Sequence, residues 1–148
     1  MSAAVSNSGE LCTMMLDGMV FGVDVLHVQE IMRAQQLTRV PLASPVVCGL
    51  MNLRGQIVTA LDLRRRLGLP ERPAGAKPKN VVVRSEGGVV SLLVDDVGDV
   101  IDVSGETLER PPETLRGPIR ELIQGAYKLR DHLLLLLDAE KVVSTSNG

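Results

Sequence analysis

Aromatic side chains are nearly missing: Phe21 and Tyr127 are the only two, and there is no Trp. The core must then be built from Val, Leu, Ile and Met, and the several aromatic faces on which single-stranded nucleic acid stacks are lacking. A surplus of one charge is missing too, since 16 basic side chains stand against 18 acidic ones, a net of −2. Such a balance creates no long-range field toward nucleic acid or an anionic membrane. The longest unbroken aliphatic run, Leu133 to Leu137, falls far short of the ~20 apolar residues that span a bilayer. No basic cluster followed by an apolar stretch opens the chain, so no secretory signal and no membrane insertion are expected, and the protein reads as soluble. The two cysteines, Cys12 and Cys48, have no metal-like spacing. They are expected to be reduced, as buried thiols or bystanders.

What is present has the rhythm of strands. Apolar runs of Val, Leu and Met are cut by turn signals. Leu11 to Leu16, Asp17-Gly18 and Met19 to Val25 read as a hairpin, because Asp-Gly accepts the positive φ of a tight turn. Val81 to Arg84, Glu86-Gly87-Gly88 and Val89 to Val94 read the same way. The two hairpins belong to an internal repeat. A shift of 69 residues lays Val20, Val25 and Val28 on Val89, Val94 and Val97, and Glu30-Ile31 on Asp99-Val100. A shift of 76 lays Gly49, Leu53, Arg54, Leu61 and Asp62 on identical residues at Gly125, Leu129, Arg130, Leu137 and Asp138. The seven extra residues fit the Pro-rich stretch between Ser104 and Pro118. The expectation is an all-β protein of two similar lobes, about five short strands each, at 11–68 and 80–143. A Pro-rich connection at 69–79 joins them, and polar tails at 1–10 and 144–148 are disordered. A lobe that small buries only about 60% of its unfolded surface, so the two should pack together.

Little in the chain converges for catalysis. A nucleophile built from Cys48 and His27 has no local sequence support, and His27 and His132 read as a hinge or surface side chain and a strand-edge residue. Asp95-Asp96, Asp99 and Asp102 lack calcium-loop spacing and read as structural. Arg64-Arg65-Arg66, flanked by Leu63 and Leu67, fits one turn of helix with a solvated face. Glycine loops of the phosphate-cradling kind are absent. No cofactor, metal or catalytic residue is expected. Asn52-Leu53-Arg54-Gly55 remains: positive φ at a strand-turn-strand apex explains Gly55 but not Arg54. An arginine there is either solvated or held by a carboxylate such as Glu30 and shown to a partner.

These residues resemble CheW, the adaptor family of bacterial chemosensory arrays. The resemblance runs through Phe21 to Ile31, Gly49 to Gly55, Ile57 to Leu63, Val94 to Val100 and Gly125 to Val143, most strongly at Val28-Gln29-Glu30-Ile31 and the Asn52 to Gly55 turn with Leu61-Asp62-Leu63. It implies two SH3-like barrels packed about a shared apolar interface, no enzymatic activity, and a cytoplasmic protein recruited to membrane-associated receptor arrays. The partners implied are a methyl-accepting chemoreceptor and the regulatory domain of a CheA-type histidine kinase. Val28, Glu30, Ile31, Asn52, Leu53, Arg54 and Gly55 match receptor-binding positions, and Gly49 a function-sensitive position assigned to kinase binding. A groove between the lobes lined by Val28, Ile31 and Leu53 would take a helical hairpin. The chain departs from the family in its few aromatics and at Ser104 to Arg120. A small-barrel module binding RNA or peptides is the other reading, since such barrels host many functions.

Overall fold

The computed structural model describes residues 8–144. The tails expected at 1–10 and 144–148 therefore lie outside the described residues, save Ser8, Gly9, Glu10 and Ser144. In chain order the elements are β1 (Glu10–Leu16), β2 (Met19–Asp24), a 3₁₀ turn (Val25–His27), β3 (Val28–Arg33), β4 (Val47–Leu53), β5 (Gln56–Asp62) and α1 (Leu63–Arg66). After the Pro-rich stretch come β6 (Lys79–Ser85), β7 (Gly88–Val94), β8 (Asp96–Asp102), β9 (Leu108–Glu109), α2 (Pro118–Leu122), β10 (Ile123–Lys128), β11 (Leu133–Leu137) and α3 (Ala139–Ser144). Both predicted hairpins form. Asp17 and Gly18 take φ of 52° and 79°, the pair of positive values that lets a two-residue turn match strand twist.

The repeat is visible in the pairing itself. β4 and β5 slip register between Val47 and Gly49, and β10 and β11 slip between the equivalent Ile123 and Gly125. Thr59 lies opposite Val90 in a parallel pair, and its counterpart Leu135 lies opposite Phe21 in another. Each half closes on a short helix capped by an aspartate: Asp62 accepts from the Arg64 N–H at 3.0 Å, and Asp138 from the Lys141 N–H at 3.0 Å.

The sheets do not follow the halves of the chain. One holds β8-β1-β2-β11-β10-β9 and the other β3-β6-β7-β5-β4, so each hairpin completes the sheet of the other half. Residues 28–94 hold every strand of the five-stranded sheet, and the other sheet joins the N-terminal hairpin to the C-terminal strands. The expected division at 69–79 thus falls inside one sheet, between β5 and β6, rather than between the lobes. The two hairpins are equivalent in pattern, so the sequence has no means of saying which set of strands each one joins.

Burial explains the aliphatic runs. Val81 and Val83 on β6, and Leu135 and Leu137 on β11, enter a large cluster that takes residues from both sheets, including Met14, Phe21, Leu61, Leu92, Leu122 and Val142. The intervening Val82 enters a smaller cluster with Met51, Leu53 and Val58. Leu134 and Leu136 enter another with Leu11, Val103 and Tyr127. Strands apolar on both faces need no alternation. Of the three arginines after Leu63, Arg65 is exposed as expected and Arg66 half-buried, but Arg64 departs from the solvated face and is only 6% exposed. Its guanidinium lies on the Asp95 carboxylate, with Nε to Oδ1 at 2.8 Å and Nη2 to Oδ2 at 2.5 Å.

Candidate partner-binding surface

The outer strands of the five-stranded sheet are β3 and β4, and the segment after β3 bridges to β4. Beyond β3, Thr38 exchanges two backbone hydrogen bonds with Leu50, each 2.8 Å. At the turn between β4 and β5, Arg54 and Gly55 have φ of 53° and 89°. Both positions, not Gly55 alone, therefore sit in the left-handed region. The Asn52 side-chain carbonyl accepts the Gly55 N–H at 2.7 Å and shapes the turn. From this turn the Arg54 guanidinium donates both arms to Glu30 on β3, Nη1 to Oε2 at 2.6 Å and Nη2 to Oε1 at 2.8 Å. The fork fixes a planar pattern of donors in water.

The structure brings together Glu30, Arg54, Asn52 and Gly55, with the neighbouring Ile31 43% exposed. It does not bring all predicted residues to the surface. Leu53 is 6% exposed and packs inward with Met51 and Val58. Val28 is half-buried against the large shared cluster. The expected groove lined by Val28, Ile31 and Leu53 is thus a patch on one sheet with Ile31 as its exposed member. Ile57, 61% exposed and directly opposite Asn52, belongs to this surface and was not singled out. The signal was present, since Val58 and Ala60 face inward and a two-residue period turns Ile57 outward.

Gly49 has a packing role. A Cβ there would lie 2.6 Å from the Thr38 carbonyl oxygen, and at the equivalent Gly125 it would lie 2.3 Å from the Glu109 carbonyl oxygen. Both glycines let a strand cross at backbone distance. The His27 Nδ1–H donates to the Arg84 carbonyl at 2.8 Å, which ties the 3₁₀ turn to β6. Cys48 makes a poor nucleophile: burial, then the nearby Asp62 carboxylate, push its thiol up to about 11. Among the described residues no three His, Cys, Asp or Glu side chains gather to hold a metal ion, and no helix is long and apolar enough to cross a membrane.

A duplicated pair of β lobes thus carries an ion-paired turn and exposed aliphatic side chains. Comparison with known proteins identifies the family. The family described as CheW-like domain matches residues 10–147. The chain is 31% identical to the chemotaxis protein CheW of Bacillus subtilis, over all of this chain and 95% of that protein. It is 32% identical to the chemotaxis protein CheW of Klebsiella aerogenes, over 84% of this chain and 75% of that protein. Its fold is shared with the scaffolding protein TtCheW of Thermoanaerobacter tengcongensis at a TM-score of 0.77 and 24% identity, covering 88% of each chain. The protein belongs to the CheW-like family, whose members are chemotaxis scaffolds and not enzymes.

Proposed function

We propose that this protein couples the tip of a methyl-accepting chemoreceptor to the regulatory domain of a CheA-type histidine kinase, and that it is recruited from the cytoplasm to membrane-associated receptor arrays. The observation that carries this reading is the Glu30–Arg54 fork, held on a left-handed turn, with Ile31 the exposed residue that follows Glu30 on β3. A helical receptor tip offers an apolar stripe flanked by charges. Ile31 and Ile57 provide aliphatic contact for the stripe, and the fork sets register and selectivity more than affinity. Asn52 and Gly55 act by shaping the turn, and Leu53 and Val28 by supporting the strands from within. Gly49 enters through the strand crossing it permits, which places the β3–β4 segment, rather than by touching the kinase itself.

Reconstitution with a receptor signalling fragment and a CheA-type kinase tests the reading, with autophosphorylation as readout. Receptor-dependent activation requires the wild-type chain. Arg54→Ala weakens receptor binding by about tenfold, the usual scale of one charge-assisted contact, while the fold survives. Equal affinity by calorimetry removes Arg54 from the interface. Ile31→Asp is the apolar counterpart, preferred to Val28→Asp because Val28 supports the shared cluster and its loss would confuse folding with binding. RNA binding is not favoured: nothing in the charge balance supports it.

A further inference from the structure

The duplication creates two places where the helix closing one half sits beside the hairpin of the other lobe, and the two are chemically unlike. α3 packs on β6 and β7. There one polar link is the Glu86 N–H to Glu140 Oε2 at 3.4 Å, between two acidic residues, with Val142 and Val143 buried nearby. At the equivalent place the repeat puts Asp17 for Glu86 and Arg64 for Glu140, so like charge becomes opposite charge. The Arg64 Nη1 lies 3.8 Å from Asp17 Oδ1.

Asp95 gathers this second place into a cluster. It lies between β7 and β8, at the crossing from one sheet to the other. Its carboxylate accepts from the Asp17 N–H at 2.9 Å, from Arg64 at 2.5–3.1 Å, and from Arg72 Nε at 2.9 Å. Arg72 belongs to the Pro-rich stretch and also reaches Asp62 Oδ1 at 3.4 Å and the Leu93 carbonyl at 3.3 Å. Arg64 Nη1 donates back to the Pro70 and Glu71 carbonyls at 3.0 and 3.3 Å. The Arg64 and Arg72 side chains are 8% and 11% exposed. One carboxylate therefore ties three segments distant in the chain: the β1–β2 turn of one lobe, α1 of the other, and the strap at 69–79.

Apolar contact is non-directional and lets packed lobes rock, whereas a two-armed guanidinium–carboxylate pair with little access to water fixes an angle. We propose that the Asp95–Arg64–Arg72 cluster is the positioning element that fixes the angle between the lobes, leaving the α3 side as the place where they rock. This rests on the adaptor reading, in which the angle decides whether events at the Ile31–Arg54 surface are felt on the other lobe. Asp95, Arg64 and Arg72 are positioning residues; they touch no partner in this account.

The test uses the full chain as Asp95→Asn, which keeps shape and removes charge, and as Arg72→Ala, which leaves the Asp95–Arg64 pair in place. Spin labels at Arg33→Cys on β3 and Lys128→Cys on β10, in a Cys48→Ala background, report the distance between the sheets. Asp95→Asn is expected to broaden that distribution, and Arg72→Ala to broaden it less. Affinities for a receptor fragment and for a kinase regulatory domain, each measured alone, stay within about twofold, while receptor-dependent kinase activation falls by about tenfold. An unchanged distance distribution in both variants overturns the proposal, as does a parallel loss of both single affinities, which marks general unfolding. If the wild-type chain fails to couple receptor to kinase, the adaptor reading fails and the distance measurement still decides whether the cluster sets the angle.

Discussion

Arg54 stands in the left-handed region at a cost of about 1–2 kcal/mol for a residue with a side chain, and an exposed ion pair returns about 0.2–1 kcal/mol. The fork with Glu30 therefore does not repay its own turn, so folding is not the reason for arginine there. Arg54→Gly is expected to keep stability within about 1 kcal/mol of wild type, by urea denaturation, while weakening receptor-fragment binding as Arg54→Ala does. A large loss of stability would assign the fork a structural role. Asp95 presents the opposite balance. Burial pushes its carboxyl up, but the hydrogen bonds from Arg64, the Asp17 N–H and Arg72 outweigh it and hold it well below the usual carboxylate range. A depressed group stabilises the fold above its unfolded value, about 3.9, and that contribution is lost as pH falls toward the folded value. Asp95→Asn is expected to cost about 2–3 kcal/mol at pH 7, for a charge pair with little access to water. The gap from wild type should shrink as the pH drops below about 4. A gap independent of pH between 7 and 3 contradicts the assignment.

At the scale of elements, hairpin turns were legible because Asp17-Gly18 and Gly55 advertise positive φ, and the repeat was legible because identical residues recur at fixed offsets. The fate of Arg64 was not legible. Its neighbours Leu63 and Leu67 announce an amphipathic turn, but burial of the arginine depends on Asp95, brought in by a crossing between sheets that no local pattern encodes. The same limit hid the reason for Gly49: the segment that crosses it, Leu37-Thr38, is irregular in sequence, and only the fold brings its carbonyl to the glycine. Gly49→Ala is expected to destabilise by about 1–3 kcal/mol through overpacking against backbone. The readout is the denaturation midpoint, with hydrogen exchange rising at Thr38 and Leu50. Unaltered exchange there would mean that the crossing is not what the glycine serves.

For the whole molecule, duplication sets the plan and hairpin exchange binds it together. The largest apolar cluster takes side chains from both sheets, so each sheet loses the larger part of its core when the other melts. Calorimetric and van't Hoff enthalpies of unfolding should then coincide, as for one cooperative unit. Two resolved transitions would show that the lobes melt separately. The all-β class and its two similar halves were readable from strand patterning. The division of strands between sheets was not, because interchangeable hairpins leave the choice to long-range pairing. The exposed Ile57 was available to phase counting along β5, and the inward turn of Leu53 follows from the same phase.

Hairpin exchange also orders events on the ribosome. The strands of residues 28–94 can all pair once β7 has emerged, but β1, made before them, finds β8 only after Asp102, and β2 finds β11 only when synthesis has passed Leu137. During that interval the β1–β2 hairpin, with Leu11, Met14, Leu16 and Phe21 destined for full burial, lacks the strands that complete its sheet. A nascent chain halted before β11 should therefore bind holdase chaperones through its first two strands, and release should coincide with the emergence of the last one.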